Sequence, residues 1–390
     1  MRVGTYWVRA ALAAAMACLL SGCTLSAALR QDEIRSVWNR GLPPQTVFYV
    51  TDRAPEGAGF GLAWSASASC GRAVTPIAHA TSEKPAPDPR LEPIACDRPA
   101  EMAGFAERVA AEARARGCNR VFIVVHGYNL TFRTAMLHGA QLAMDVQWRC
   151  ATLLFNWASE GMFNRYAADI ERSGYAVPLL IETLRALKAS GLELNILGHS
   201  MGARIALGAL GALCREPQPV VRELLLAAPD VSAGENSDDL GRMLERDRTC
   251  VARTTLYASD YDLALMASES AHGGIARAGR LPLKALDYAR PGLNGVGRIE
   301  AVDATLAPGD ISGHAYFVFS WEMMADLMWA LDGASLQKRA ELGTLTCKDW
   351  NGSACATGGG RYSLKVGEAR QPGLSRRILR TLWPLILPLQ

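Results

Sequence analysis

The feature that most constrains this chain is Gly198-His199-Ser200-Met201-Gly202, set between the apolar run Leu192–Leu197 and an Ala-rich stretch at 201–214. An apolar run of that length reads as a buried strand, and the stretch after it as a helix. Two glycines flanking one serine allow a turn too tight for larger side chains. The sequence therefore predicts a strand–turn–helix with a serine hydroxyl lifted at its apex, as a nucleophile elbow requires. The helix N-terminus that follows directs N–H groups toward developing negative charge.

The surrounding pattern repeats this unit. Helices are expected over 101–117, 131–147, 165–190, 201–214, 261–270 and 315–332. Strands are expected at Thr46–Thr51, Phe60–Ser65, Val121–Val125, Ala151–Asn156, Leu192–Leu197, Val220–Ala227, Arg253–Ala258 and Arg298–Val302. Val121–Val125 (VFIVV) is apolar throughout, as in a strand buried on both faces. Alternating strands and helices imply an α/β fold, a mostly parallel sheet covered on both sides. Residues 83–99, with Pro85, Pro87, Pro89, Pro93 and Pro99, read as an exposed excursion, and Cys70 and Cys96 bracket it.

A second set of residues fits the serine. His126-Gly127-Tyr128-Asn129 follows the strand VFIVV, where a loop can present a backbone N–H to an oxyanion. The donors expected are the N–H groups of Met201 and Tyr128. His126 precedes the nucleophile in the chain and reads as a brace for that loop. Of six histidines, only His272 and His314 follow the elbow. His314, in DISGHAYF, sits after the strand at 298–302 and is the expected base; His272 is its rival. Asp262, after the strand TTLYAS, is the expected acid, with Asp230 as alternative. Asp260 could cap the helix at 261–270, and Asp303 reads as structural.

The series VVHGYN, LFNW (154–157), LGHSMGAR (197–204), LLLAAPDV (224–231), LYASDYDLAL (256–265) and GHAYF (313–317) resembles the alpha/beta hydrolase family of unknown function called DUF900, within the esterase/lipase superfamily. VTDR at 50–53 resembles its opening strand. The resemblance spans about residues 46–330. It implies the α/β-hydrolase fold, a Ser…Asp…His order and a hydrolase, with no defined substrate. On that fold Cys118–Cys150, Cys214–Cys250 and Cys347–Cys355 become candidate disulfides beside Cys70–Cys96.

The N-terminus predicts export. Arg2 and Arg9 bracket a charged start, Ala10–Leu20 is almost purely apolar, and Leu20-Ser21-Gly22-Cys23 resembles the lipobox of bacterial lipoproteins. That run is too short to span a bilayer. The likeness implies a signal peptide over 1–22, lipidation of Cys23, and a tether over 23–45. A residue other than Asp after the cysteine, here Thr24, implies the outer membrane, facing the periplasm. The cysteines other than Cys18 and Cys23 are even in number, which suits a compartment where disulfides persist.

The hydrolase domain is expected over 46–335, with a C-terminal extension of unknown role at 336–390. Its end, SRRILRTLWPLILPLQ (375–390), reads as a segment packed on the domain rather than lying on a membrane. Lids are conceivable at 158–175 or 271–297. A net charge of +3 on 390 residues argues against nucleic acid. No cofactor or metal is called for. The reading is ester hydrolysis on an acyl-ester small molecule or lipid at the bacterial cell envelope. Amidase, peptidase or thioesterase chemistry, or a non-catalytic envelope scaffold, are the alternatives.

Overall fold

The computed structural model describes residues 36–38, 43–80, 87–162, 165–215, 221–233, 240–247, 249–280, 298–307, 312–348, 355 and 361–366. The signal segment, Cys23, residues 281–297 of the second lid candidate and the stretch 375–390 lie outside these.

In chain order the elements begin with β1 (Ser36–Trp38), β2 (Gln45–Glu56), β3 (Gly59–Thr75), β4 (Ala78–Ala80), β5 (Arg90–Ile94) and α1 (Pro99–Ala115). The middle of the chain alternates: β6 (Arg120–Val125), α2 (Phe132–Asp145), β7 (Ala151–Phe155), α3 (Tyr166–Ala189), β8 (Glu193–His199), α4 (Met201–Leu213) and β9 (Val221–Ala227). Then come α5 (Leu240–Asp247), β10 (Val251–Ala258), α6 (Leu263–Ala271), β11 (Arg298–Asp303), α7 (Tyr316–Phe319), α8 (Trp321–Leu331), α9 (Leu336–Glu341), β12 (Leu345–Lys348) and β13 (Arg361–Leu364).

Eleven strands form one sheet in the order β12-β13-β11-β10-β9-β8-β6-β7-β2-β3-β5. From β2 through β13 the neighbours run parallel; β3, β5 and β12 join antiparallel at the two edges. Strand side chains alternate between two cores. Val121, Ile123 and Val125 of β6 pack with α1, α3, α4 and α5, while Phe122 and Val124 pack with α2 and α8. The period of two thus feeds both faces, which is why these strands are apolar throughout.

The chain winds outward in both directions from β6. β7 lies on one side of it and β8 on the other. Clefts form outside the carboxyl ends of strands at such a reversal. Val125 pairs with Phe155 and with Gly198, Gly198 with Leu226, and Leu226 with Leu256. This row brings the loops that follow β6, β8, β9 and β10 to one edge.

Four expectations need correction. Part of the excursion at 83–99 is β5, an edge strand in which Pro93 pairs with Gly71; a proline is tolerated there because an edge strand leaves some of its N–H groups unpaired. Within the expected tether, Ser36–Trp38 pairs with Ala78–Ala80. The helix expected over 315–332 breaks at Ser320, whose extended backbone and Oγ cap α8 at Met323 N. Finally, the extension after 335 adds α9, β12 and β13 to the domain, and β13 pairs with β11. These strands are only four residues long, too short for a periodic signal.

All four cysteine pairs are formed, with Cα separations of 5.9 Å (Cys70–Cys96), 6.0 Å (Cys118–Cys150), 5.3 Å (Cys214–Cys250) and 5.5 Å (Cys347–Cys355). Cys118 and Cys150 lie ahead of the neighbouring strands β6 and β7. They staple the sheet at the end opposite the loops just described.

Candidate active site

Ser200 sits at the junction of β8 and α4 with φ 52° and ψ −122°. A non-glycine residue in that region is strained, and it persists only where its surroundings hold it. Three backbone bonds do so: Ser200 N to Ala227 O (3.0 Å), Ala203 N to Ser200 O (3.1 Å) and Asp230 N to Ser200 O (3.1 Å). The flanking glycines are steric requirements. A Cβ on Gly202 would lie 2.3 Å from Val125 O and 2.4 Å from His126 O, and one on Gly198 would lie 2.9 Å from the Ala203 Cα. All of these are backbone atoms, which cannot swing aside. The turn therefore follows from close approach of β6 to the start of α4.

Asp262 and His314 meet although 52 positions separate them. His314 Nδ1 lies 2.7 Å from Asp262 Oδ2. The other carboxylate oxygen accepts from Leu265 N at 2.9 Å and caps α6. The cap expected of Asp260 is thus made by Asp262, and it fixes the carboxylate that faces the imidazole. Asp262 is fully buried and the His314 side chain is 13% exposed. His314 also touches the elbow: its carbonyl is 3.3 Å from His199 Nε2, and the two rings are 4.7 Å apart. Phe317 also stacks on His199 at 4.0 Å.

Asp230 is engaged elsewhere. Its Oδ1 accepts from Arg277 Nε (2.8 Å) and Ser268 Oγ (2.6 Å), and its Oδ2 from the Tyr166 hydroxyl. Burial alone would raise its pKa, but the Arg277 charge and these hydrogen bonds hold it below the usual carboxylate range. His272 ends α6, with Nδ1 2.8 Å from Ser268 O. Asp303 accepts from Thr305 N at 2.8 Å, a turn-stabilising contact.

The loop after β6 is pressed against the elbow. A Cβ on Gly127 would lie 2.7 Å from His199 Nδ1 and 3.0 Å from Ser200 Cβ. His126 is buried, with Nδ1 2.7 Å from Gly127 O and Nε2 3.2 Å from Asn156 Oδ1. Burial, aided by the nearby Arg53 cation, pushes its pKa down to about 3, so the ring is neutral near pH 7. Trp157 stacks on it and donates to its carbonyl. Tyr128, next along, meets Tyr166 edge-on at 5.4 Å.

Around this loop lie residues that motif reading assigned no role: Arg53, Asn156 and Ser159. Arg53 and Asn156 fall within the quoted stretches VTDR and LFNW, but nothing local in either marks a polar side chain as buried.

A doubly wound sheet, a strained serine between two obligatory glycines and an Asp–His pair brought together from the loops after β10 and β11 define an α/β hydrolase. Residues 101–330 match the family described as "Alpha/beta hydrolase of unknown function (DUF900)", and the chain belongs to that family. Membership supports hydrolase activity at that level and no finer. No curated protein matches the chain.

Proposed function

We propose that this protein is a serine hydrolase that cleaves carboxylic esters through an acyl-enzyme on Ser200. The observation that carries the reading is the 2.7 Å contact between Asp262 and His314 Nδ1, on the sheet edge that also presents the strained serine. With Nδ1–H held by the carboxylate, the proton from Ser200 goes to Nε2 as Oγ attacks the substrate carbonyl. The backbone N–H groups of Met201 and Tyr128 receive the oxyanion. His314 then returns the proton to the leaving alcohol as the carbon–oxygen bond breaks. Water, deprotonated by the same nitrogen, attacks the acyl-serine; the bond to Ser200 Oγ breaks, His314 returns that proton to Oγ, and the acid is released. None of these steps calls on a metal or organic cofactor.

The setting proposed is the bacterial cell envelope, with the chain held at the outer membrane through lipid on Cys23 and acting on acyl esters there. The basis is the lipobox-like Leu20–Cys23. Among the described residues no helix is long and apolar enough to cross a membrane.

The test is labelling of the mature protein by a fluorophosphonate probe. Wild type should label at Ser200, and Ser200→Ala and His314→Ala should not. A folded wild type that resists the probe would reject the assignment.

A further inference from the structure

Arg53 lies near the end of β2, 0% exposed; among the described residues no carboxylate is in direct contact with it, and the charges of Asp52 and Asp169 act on it from a distance. A buried cation in that condition is costly unless its donors are all engaged. Here four hydrogen bonds hold it, three of them to the segments after β6 and β7. Nε donates to Asn156 Oδ1 (3.1 Å), Nη1 to the carbonyls of Ser159 (2.9 Å) and Gly61 (3.2 Å), and Nη2 to the carbonyl of Leu130 (2.7 Å). Burial lowers its pKa to about 10, which leaves it charged near pH 7.

The partners extend the hold. Asn156 donates from Nδ2 to Phe132 O (2.9 Å), and its Oδ1 faces His126 Nε2. Ser159 Oγ accepts from Asn129 N (2.8 Å) and donates to Asp169 Oδ2 (2.6 Å). Asn129 takes φ 62°, a left-handed conformation that asparagine tolerates, and the Ser159 contact pins its N–H there. The loop is therefore gripped at His126, Asn129, Leu130 and Phe132. Between the first two grips sit Gly127, pressed on Ser200, and Tyr128.

We propose that Arg53, with Asn156 and Ser159, is a positioning clamp that sets the backbone of Gly127–Asn129 for oxyanion binding. It rests on the reading that Tyr128 N–H is an oxyanion donor. Arginine suits the task because its planar fork reaches four acceptors in fixed directions. A lysine offers one nitrogen on a flexible stem.

The test compares wild type with Arg53→Lys and Ser159→Ala on a p-nitrophenyl ester, alongside inhibition by a trifluoromethyl ketone that forms a tetrahedral adduct. Displacing an oxyanion donor by a fraction of an ångström should cost about 10- to 100-fold in kcat. Arg53→Lys should lose that much with KM within about twofold, and should lose ketone affinity by a similar factor. Ser159→Ala should move the same way and less far. Unchanged kcat and ketone affinity in a folded Arg53→Lys would overturn the proposal, even if its melting temperature fell. If Arg53→Lys does not fold, unchanged values in Ser159→Ala would overturn it instead. A wild type that neither turns over ester nor labels with fluorophosphonate would defeat the serine-hydrolase reading itself, a different result from a labelled wild type with indifferent variants.

Discussion

At the scale of single residues, two buried aspartates follow adjacent strands beside the serine, and their partners separate them. Asp262 faces His314; Asp230 is bound to Arg277, Ser268 and Tyr166. Replacing Asp262 by Asn keeps an acceptor for the Leu265 N–H cap but offers His314 the wrong partner for its N–H. Turnover should fall on the order of 10⁴-fold with little change in melting temperature. Asp230→Asn should do the reverse. It leaves the Arg277 guanidinium buried without its countercharge, a loss of about 3 kcal/mol in urea denaturation. The pH dependence has a definite sign. The Asp230 carboxyl is depressed on folding, so its contribution is complete above the ordinary value of 3.8 and is lost as pH falls through the depressed one. Wild-type stability should therefore drop more steeply below about pH 4 than that of Asp230→Asn. An equal slope in the two proteins would contradict this assignment.

At the scale of elements, the C-terminal part of the domain joins the sheet through β13 and is tied to it further by one buried side chain. Arg339 of α9 donates to Asp326 of α8 (2.9 Å), Glu300 of β11 (3.0 Å) and the Tyr257 hydroxyl of β10 (3.0 Å). Thr344 donates to the second Asp326 oxygen at 2.8 Å. The same Tyr257 accepts, through its carbonyl, from the Tyr316 hydroxyl two residues after His314. Packing of the extension and placement of the base loop thus share a strut. Arg339→Met would strand two buried carboxylates, with an expected loss of about 3–5 kcal/mol measured by denaturant. This strut explains why a domain end at 335 is too early. The segment after it looked featureless because α9 and β12 are short, and they are held by contacts with distant elements rather than by any periodic pattern of their own.

At the scale of the whole molecule, the candidate site and one of the staples between neighbouring sheet strands occupy opposite ends of the sheet. The loops bearing His126, Ser200, Asp262 and His314 lie at the carboxyl edge, while Cys118–Cys150 ties β6 and β7 at the other. The lipid anchor proposed on Cys23 gives a separate prediction. Cys23→Ser should take up no radiolabelled fatty acid in the producing cell and should leave the membrane fraction, with fluorophosphonate labelling of Ser200 retained. A variant that stays membrane-bound would mean another segment holds it there.

Much of this protein is legible without coordinates, because its strongest signals are local. The order of serine, acid and base is what the family resemblance implies, whereas the strand–glycine–serine–glycine–helix turn and the alternation of strand and helix rest on short-range sterics and hydrophobic period. Those forces act within a few residues and leave their mark in sequence. Tertiary structure decided what depends on meeting at a distance. Asp262 faces His314 while its other oxygen caps α6, whereas Asp230 is held by Arg277, Ser268 and Tyr166. Arg53 reaches acceptors as far as 106 positions away, and the short strands β12 and β13 exist by pairing. Each is a matter of which buried polar groups come within hydrogen-bonding reach, and that is set by packing of the assembled sheet.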